Sequence, residues 1–506
     1  MSDYLRLNRQ IRDVDGLEKL LKTKPESYWI KRSENMALKL FHNMASRVPA
    51  YKDFLKKNSV NAQGIRNIKD FKQLPLIDKD NYLRRYPREA LCWDGKFSSE
   101  RWVVSTTSGS TGEPFYFPRT DLQDEQYALT AELYLRENFQ IQNKKTLYID
   151  AFAMGAWIGG LYTYEAIHRI AQKGYALSII CPGINKAEVI NSVRQLGPEF
   201  DQVIIGCYPP IMRDIIDHGI EEGIDWRKYN LGIVFSAEGF GEEFRDHITQ
   251  NAKLANIYTS TLNHYGTVDL GTMSHETPVS ILVRRQAVAD KQLFRHIFGN
   301  TLKQPTLTQF HPEMFYFEAI NEQVICSGFS GLPLVRYDLK DHGGVITFQA
   351  IEQAFTLSGK DLQTEIKTAG LTKTVWNLPF VYVYERSDFS VNLLGGVIYP
   401  EEIRKALLKV PLPQKTTGKF TMEVANDRRL MNKLIVHVEL KRGCIGDHNL
   451  SRQIQKSVVD LLLLENSEYA NNYASYGKKI WPTIKLWPFA DELYFNGRGK
   501  QKWVKK

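Results

Sequence analysis

The chain contains few cysteines and no long apolar run, and both shortages exclude classes of protein. The five cysteines show no paired spacing, so neither a disulfide framework nor a zinc site is indicated. They are Cys92, Cys181, Cys207, Cys326 and Cys444. The longest apolar runs, such as Leu231–Phe235, are strand-sized, whereas a membrane helix needs about 20 predominantly apolar residues. The first residues also lack the apolar segment of a secretory signal. We therefore expect a cytoplasmic protein without a membrane span.

The charge balance is basic, but it does not indicate a nucleic-acid partner. The net charge is +9, and part of it lies in the last nine residues. Such a balance suits nucleic acid, a membrane surface or an anionic small molecule. However, the sequence has no zinc finger, no RNP-like aromatic motif and no heptad-backed basic region, and acidic residues are interspersed with the basic ones. An anionic small molecule is the remaining expectation.

Segments after about residue 146 alternate between strand and helix patterns, with glycine and proline turns between them. This alternation predicts βαβ units and a parallel sheet. The predicted strands are Thr146–Ile149, Ala176–Ile180, Gln202–Ile205 and Leu231–Phe235, and the predicted helices are Leu161–Lys173, Lys186–Leu196, Pro210–Glu222 and Glu242–Asn251. Ligands bind beyond the carboxyl ends of such strands, so the functional site is expected there.

The remainder of the chain divides into two further regions. After about Ser280 the pattern predicts strands and turns, and after Arg386 it predicts a separate α+β unit of about 120 residues. The elements expected in that unit are a helix from Pro400, strands at Lys419–Val424 and Leu434–Leu440, a helix near Leu450–Leu463 and a strand at Thr483–Leu486. At 506 residues, a chain of two or three domains is expected.

The sharpest motif is the run of small residues between Val104 and Pro114. Backbone N–H groups and hydroxyls in such a run are free to face a polyphosphate, and its glycines permit close approach. The spacing of a Walker loop is absent. A flexible Ser/Gly linker is the alternative. The apolar segments on either side, Trp102–Val104 and Phe115–Phe117, favour a tight phosphate-binding loop between strands.

Thr107–Pro114 resembles the phosphate loop of the adenylate-forming superfamily, which includes acyl-CoA synthetases, adenylation domains and luciferases. The chain is most similar to its phenylacetate–CoA ligase and CapK-like branch, to which Val48–Lys52 and Leu74–Lys79 also correspond. The resemblance extends from about residue 40 to the end and weakens between 270 and 330. It implies an α/β fold with a large N-terminal domain (1–385) of mixed or parallel sheets flanked by helices, a hinge (386–388) and a small mobile α+β lid (389–506).

The resemblance also implies which residues bind ATP. They are Thr107, Ser108, Gly109, Ser110, Thr111, Gly112, Ala237, Glu238, Tyr265, Gly266, Thr267, Asp341 and Arg386. Ala237 and Glu238 would lie against the adenine, the Tyr265 ring would stack on it, and Asp341 would accept both ribose hydroxyls. Asp338 is a competing candidate for the ribose.

Three further roles follow from the resemblance. Asp269 stands where the family has a metal-assisting Glu, so it would serve Mg²⁺, although its shorter side chain leaves direct coordination open. Asp388 would be the pivot of the lid. Lys500 would be the catalytic cation, for which a solvated basic tail and Lys502 are the alternatives.

A substrate pocket is expected between the first parallel strand and the following helix. Its candidate residues are Phe152, Gly155, Trp157, Gly159 and His264. The aromatic and glycine content suits a flat apolar group, and so an aryl or arylacetic acid. A packed core turn, and for His264 a core histidine, are equally open readings.

The sequence thus predicts an AMP-forming ligase that uses ATP and Mg²⁺ to activate a small carboxylic acid, with coenzyme A as co-substrate. Two alternatives stay open: transfer to another acceptor, such as an amine, a carrier protein or a cofactor hydroxyl, and a non-catalytic nucleotide-binding descendant. Glu113 in place of the common Lys, together with Asp269, favours the second. The oligomeric state is open, with a homodimer among the options.

Overall fold

The computed structural model describes residues 13–106, 115–156, 158–299, 304–384, 391–393, 396–409, 411–426, 432–495 and 503–504. Helices precede the first strand: α1 (Val14–Thr23), α2 (Glu26–Arg47), α3 (Pro49–Lys57), α4 (Ile68–Phe71) and α5 (Arg88–Leu91). Helix α2 buries Trp29, Ser33, Ala37, Phe41 and Met44. Their spacing of three to four residues places them on one face, which packs against strands at one edge of the large sheet.

A hairpin and a long helix lead into the sheet. Strands β1 (Val103–Thr106) and β2 (Tyr116–Arg119) pair antiparallel. Helix α6 (Asp121–Phe139) then begins at Thr120, whose side chain accepts a hydrogen bond from the Gln123 amide in a capping box. The hairpin matters for function because Thr106 and Tyr116, which frame the predicted phosphate loop, are partners in its register.

The parallel half of the sheet follows the βαβ pattern that the sequence predicts. In chain order its elements are β3 (Thr146–Asp150), α7 (Ile158–Ala171), β4 (Leu177–Ile180), α8 (Lys186–Leu196), β5 (Gln202–Cys207), α9 (Pro209–Glu221), β6 (Gly232–Phe235), α10 (Glu242–Asn251) and β7 (Thr261–Thr267). Strands β3, β5 and β6 are buried along their whole length, as expected for strands covered by helices on both faces. The predicted elements are confirmed, and two helices have the predicted bounds.

The antiparallel half contains more helix than the sequence predicts. Its elements are β8 (Gly271–His275), α11 (Pro278–Ala289), α12 (Lys291–Phe298), β9 (Thr306–Phe310), β10 (Phe315–Ile320), β11 (Gln323–Gly328), β12 (Leu334–Ile346), α13 (Phe348–Leu357), α14 (Leu362–Thr368) and β13 (Phe380–Val383). The strand-and-turn expectation after Ser280 is therefore wrong for α11 to α14. Helix α11 misleads because its β-branched Val279, Ile281 and Val283 favour a strand, whereas it is buried on most sides.

Together these strands form one mixed sheet with the order β10-β11-β12-β13-β9-β8-β7-β6-β5-β3-β4. Neighbours from β4 to β7 are parallel, and the remaining pairs are antiparallel. The direction changes at the β7–β8 hairpin, where β7 is parallel to β6 and antiparallel to β8. The carboxyl ends of β5, β6 and β7 meet at one edge of the sheet, which is where a ligand is expected.

The C-terminal residues form a separate sheet with its own core. The elements are β14 (Val391–Leu393), β15 (Gly396–Ile398), α15 (Pro400–Leu407), α16 (Leu412–Lys415), β16 (Thr416–Asn426), β17 (Asn432–Leu440), α17 (His448–Glu465), α18 (Ser467–Tyr476) and β18 (Thr483–Trp487). Strand β17 is central, antiparallel to β16 and parallel to β18. The predicted α/β class, with a large mixed sheet flanked by helices and a small α+β unit, is confirmed. Among the described residues, the helices are too short or too polar to cross a bilayer.

Candidate active site

The loop after β6 carries the first two candidate nucleotide residues. Ala237 has a φ of 73°, in the left-handed region that favours glycine, and it is exposed. The carbonyl of Glu238 accepts a hydrogen bond from the Asn263 side-chain amide at 3.0 Å. Because Asn263 lies within β7, this bond joins the Ala237–Glu238 segment to the strand that continues into Tyr265. A strained, exposed residue held between two strand ends is typical of a ligand-binding turn.

Tyr265 and Asp341 are brought together from distant parts of the chain. The Tyr265 hydroxyl donates to Oδ2 of Asp341 at 2.8 Å. Asp341 is buried in β12, whereas Tyr265 is half-buried at the end of β7. Gly266 and Thr267 complete β7, and the Thr267 hydroxyl accepts a hydrogen bond from the Leu270 amide, which fixes the turn into β8. The candidates for the adenine and for the ribose are therefore neighbours.

The competing ribose candidate, Asp338, has a different environment. Its carboxylate is paired with Lys340, whose ammonium lies 2.7 Å away and also contacts Asp78 at 2.9 Å. The pKa of Lys340 is raised by its hydrogen bonds to these carboxylates, although partial burial opposes that shift. Asp338 thus belongs to a local charge cluster. The geometry favours Asp341 as the ribose acceptor.

Asp269 is buried and is held by two side chains. The Tyr337 hydroxyl donates to its Oδ2 at 2.6 Å, and the Lys79 ammonium lies 3.4 Å from the same oxygen. In the described part of the chain, both contacts fall on Oδ2, which leaves Oδ1 for a cation or for a water bound to one. No cluster of three or more His, Cys, Asp or Glu side chains that suits a metal occurs in those same residues. A magnesium ion here would need phosphate oxygens and water for most of its shell.

The expected substrate pocket is packed at the positions that the structure describes. Phe152 is buried with its ring edge-on to Tyr208, at 5.1 Å between centroids. A Cβ on Gly159 would lie 3.0 Å from the Tyr208 hydroxyl, so a glycine there lets α7 approach this pair. Gly155 is exposed and has a φ of 103°. The packing of Phe152 and Gly159 against Tyr208 favours the alternative of a packed core turn at these two positions. Gly155 is exposed at the surface of the same turn.

His264 is enclosed by aromatic rings. Its ring lies 4.8 Å from that of Tyr134 and 6.1 Å from that of Tyr127, measured between centroids. Burial lowers the pKa of His264 well below its usual range, so the imidazole is neutral at physiological pH. A neutral imidazole enclosed by aromatic rings fits the core-histidine alternative.

Sequence reasoning missed a buried charge cluster next to the loop that follows β6. It consists of Glu242 and Arg245 on α10, Glu276 after β8, and Arg284 on α11. Arg245 and Arg284 are fully buried. Glu276 also accepts a hydrogen bond from the Asn263 amide at 2.8 Å, so the cluster reaches the segment that precedes Tyr265. In the sequence, charged residues on a helix look like a solvent-exposed face. Their burial could therefore not be predicted from the local pattern.

Several candidates lie outside the described residues. They are Thr107, Ser108, Gly109, Ser110, Thr111, Gly112, Trp157, Arg386, Asp388 and Lys500. The start of the phosphate-loop hairpin is nevertheless described. The Thr106 amide donates to the Ala156 carbonyl at 2.9 Å, and the Ser105 hydroxyl accepts from Arg119 at 3.2 Å. These contacts hold the strand that enters residues 107–112 beside the turn after β3, at the carboxyl edge of the sheet.

Comparison with known proteins shows likeness at low identity. No protein-family model matches the chain. It is 23% identical to a phenylacetate–coenzyme A ligase of Thermus thermophilus over 247 residues, which cover 47% of this chain and 51% of that protein. The chain thus spans about half the length of the curated relative that it matches.

Two solved structures align with almost the whole chain. One is a 2-hydroxyisobutyryl-CoA ligase in its postadenylation state in complex with R3-HIB-AMP, with 13% identity, a TM-score of 0.66 and coverage of 96% of this chain and 91% of that chain. The other is the AtGH3.15 acyl acid amido synthetase in complex with 2,4-DB, with 13% identity, a TM-score of 0.60 and coverage of 98% and 94%. The resemblance in the sequence is confirmed at the level of the fold: the chain has the fold of the adenylate-forming enzymes.

Proposed function

We propose that the chain is an ATP-dependent, AMP-forming ligase that activates a small carboxylic acid as an acyl-adenylate and transfers the acyl group to coenzyme A. The contact of Tyr265 with Asp341, beside the Ala237–Glu238 loop, carries the proposal. An aromatic ring next to a buried carboxylate suits adenosine, since the ring offers its face to the base and the carboxylate accepts hydrogen bonds from the ribose hydroxyls.

In the first half-reaction, a substrate carboxylate oxygen attacks the α-phosphorus of ATP, and the bond from that phosphorus to the bridging oxygen of pyrophosphate breaks. The protein contributes mainly position and charge compensation. Residues 107–112 would hold the β- and γ-phosphates, Arg386 would contact the nucleotide, and Lys500 would compensate the developing charge. Bound Mg²⁺ would neutralise phosphate oxygens, with Oδ1 of Asp269 holding it directly or through water.

In the second half-reaction, the coenzyme A thiol gives up its proton, its sulfur attacks the acyl carbon, and AMP leaves. Because the thiol would need the face that Lys500 would occupy during adenylation, we assign residues 389–506 to a lid that rotates about Asp388, within a hinge at 386–388. Residues 1–385 would then form the nucleotide- and carboxylate-binding domain. The separate core of the C-terminal sheet supports this division.

Transfer to an amine is a second candidate function. The AtGH3.15 acyl acid amido synthetase aligns with 98% of this chain, so the same architecture occurs in a protein named for amide formation. The two candidates share the first half-reaction and differ only in the acceptor.

ATP–pyrophosphate exchange against a panel of aryl, arylacetic and short hydroxy acids tests the shared step. We expect exchange with at least one acid, and thioester formation when coenzyme A is added. Amide formation with amino acids and no thioester would favour the second candidate. No exchange with any acid, despite measurable ATP binding, would favour a non-catalytic nucleotide-binding protein.

The expected setting is the cytoplasm. The cysteines are free in the part of the chain that the structure describes, which suits a reducing compartment that also supplies ATP and coenzyme A. The partner is the carboxylic acid itself, without nucleic acid or membrane, and sedimentation analysis would decide between a monomer and a homodimer.

A further inference from the structure

The adenine loop, which we define as residues 236–241, is held from below by the large unit. Arg284 donates a hydrogen bond to the carbonyl of Phe240. Arg284 is itself fixed by ion pairs with Glu242 and Glu276 at 3.1 and 3.3 Å, and it is fully buried. A guanidinium that is paired with two carboxylates in the interior has little freedom to move. The distal half of the adenine loop therefore has a rigid support.

The same loop is held from above by the C-terminal unit. Arg404 on α15 donates to the carbonyl of Gly239 at 3.0 Å. Glu401, one turn earlier on α15, accepts a hydrogen bond from the amide of Gly241 at 2.8 Å. Glu401 and Arg404 are also ion-paired with each other, and Arg404 is buried. Two side chains of one helical turn thus bind the backbone on either side of Phe240. These two contacts restrict the orientation of the C-terminal unit relative to the loop.

Arg404 has a third neighbour, which belongs to the C-terminal tail. Its guanidinium lies 4.7 Å from the centroid of the Trp503 ring. The Trp503 carbonyl accepts a hydrogen bond from the Met422 amide at 2.7 Å, so Trp503 is fixed on the C-terminal sheet. Trp503 is three residues after Lys500 in the sequence. Arg404 therefore lies between the adenine loop and the point at which the segment with Lys500 joins the C-terminal unit.

We propose that Arg404, oriented by Glu401, is a positioning residue for the adenylation half-reaction: it docks the C-terminal unit on the adenine loop in the orientation that we assign to adenylation. The inference rests on the proposed function. Arg404 acts through backbone contacts and through Trp503, and it does not touch the reacting atoms. A misplacement of about 1 Å at a reacting centre can slow a reaction on the order of a hundredfold, so such a docking contact has kinetic weight.

The two half-reactions should respond differently. The contacts of Arg404 with Gly239 and of Glu401 with Gly241 join the two units in this orientation, and a rotation of the C-terminal unit breaks both. Since we assign the orientation seen here to adenylation, loss of Arg404 removes an interaction that this orientation has and a rotated orientation lacks. Adenylation slows, whereas transfer from a preformed adenylate does not.

The test compares Arg404→Met, Arg404→Lys and Glu401→Gln with the wild-type full chain. The control is Lys478→Met, because Lys478 is exposed and its ammonium lies 5.5 Å from the centroid of the Trp481 ring, inside the C-terminal unit. The substrate is the panel acid that supports wild-type exchange, and its synthetic acyl-adenylate is the probe for transfer. In Arg404→Met we expect kcat for pyrophosphate exchange to fall about tenfold or more, with a smaller change in KM for ATP. The rate of acyl transfer from the synthetic adenylate should stay within about twofold of wild type. Arg404→Lys recovers part of the rate, since an ammonium still donates to a carbonyl.

Hydrogen exchange provides a readout that does not depend on turnover. Backbone amides of the adenine loop should exchange their hydrogens faster in Arg404→Met and Glu401→Gln, but not in Lys478→Met. Unchanged kinetics of pyrophosphate exchange in Arg404→Met would overturn the inference and leave the proposed function intact. An equal loss of rate in both half-reactions would do the same. A wild-type chain that exchanges pyrophosphate with no acid overturns the proposed function, and the positioning role falls with it.

Discussion

Asp341 is a buried carboxylate that we propose as the acceptor of the ribose hydroxyls. Its Oδ2 accepts the Tyr265 hydroxyl, and its position in β12 fixes it beside the adenine loop. A carboxylate can accept two ribose hydroxyls, whereas an amide replaces one acceptor by a donor. We therefore expect Asp341→Asn to raise KM for ATP about tenfold, as measured by pyrophosphate exchange. Asp338→Asn is the matched control, because Asp338 is paired with Lys340. A larger effect at Asp338 would reverse the assignment.

Buried histidines make stability depend on pH. Burial lowers the pKa of His311 to about 4, with the nearby Arg32 acting in the same direction. The unfolded chain takes up a proton at its usual pKa of about 6.5, so this contribution is intact above that pH and is lost as the pH falls toward 4. From these values, His311 lowers the free energy of unfolding by about 2 kcal/mol at pH 5 relative to pH 7.

Urea denaturation of His311→Gln at both pH values measures this contribution. We expect the variant to lose about 2 kcal/mol less stability than the wild type on acidification. His296→Gln serves as the control, since His296 is exposed and its removal deletes no buried imidazole. An identical pH response in His311→Gln and the wild type would show that another group governs acid unfolding.

At the residue scale, the sequence predicted the site through motif resemblance and missed the residues that support it. Tyr265 and Asp341, 76 positions apart, were both identified, and the structure places them in contact. Glu401 and Arg404 were not identified, because an acidic and a basic residue three apart on a helix read as an exposed ion pair. Their role depends on a loop 160 residues earlier, and no local pattern encodes that contact.

Helices α10 and α11 are joined by charges where apolar side chains would be usual. Arg284 pairs with Glu242 on α10 and with Glu276 after β8, and its side chain is fully buried. Removal of Arg284 leaves Arg245 as the remaining fully buried cation for Glu242 and Glu276, and loss of one partner from a buried ion pair typically costs about 3–5 kcal/mol. We expect Arg284→Met to lower the free energy of unfolding by that amount and to raise KM for ATP, because the Phe240 carbonyl loses its donor.

Arg285→Met is the matched control for this element. Arg285 adjoins Arg284 and also pairs with Glu242, at 3.0 Å, but its side chain is partly exposed, and water can replace it. Chemical denaturation should show a change below about 1 kcal/mol for this variant. If the two substitutions destabilise the protein equally, burial of the charge is not what makes the cluster important.

Element prediction succeeded where one physical rule dominated. Lys186–Leu196 and Glu242–Asn251 have the predicted bounds, because each begins after a strand and carries one apolar face. The prediction failed at helix α11 because nearly all its sides are buried, so its apolar residues do not repeat with a period of about 3.6 residues. Its β-branched residues also favour a strand. The capping box of Thr277 and Ser280, with Pro278 at the first turn, was the available signal.

The whole molecule combines a large sheet with a C-terminal unit whose contacts with it include several polar groups, besides Leu408, which packs against the core of the parallel half. Besides the adenine loop, α9 meets β16, where Lys419 pairs with Asp214 and Arg213 donates to the Thr416 carbonyl at 3.3 Å. A further ion pair joins Lys441 to Asp217 at 2.9 Å. Polar contacts of this kind can be exchanged for water, whereas the two hydrophobic cores are separate. This architecture suits a unit that changes orientation between half-reactions.

A pair of substitutions in the predicted hinge and tail tests that motion through opposite effects. Asp388→Pro fixes φ near −65° at the predicted pivot, so rotation should fail while the orientation seen here persists. We expect pyrophosphate exchange within about threefold of wild type and thioester formation reduced at least about a hundredfold.

Lys500→Ala should do the reverse, with exchange slowed about a hundredfold, because one charge-compensating group contributes about 3–4 kcal/mol, and with transfer from synthetic adenylate preserved. Each variant controls for misfolding of the other, since a damaged fold would impair both steps. Parallel losses in both reactions for both variants would mean that residues 389–506 do not move as a lid.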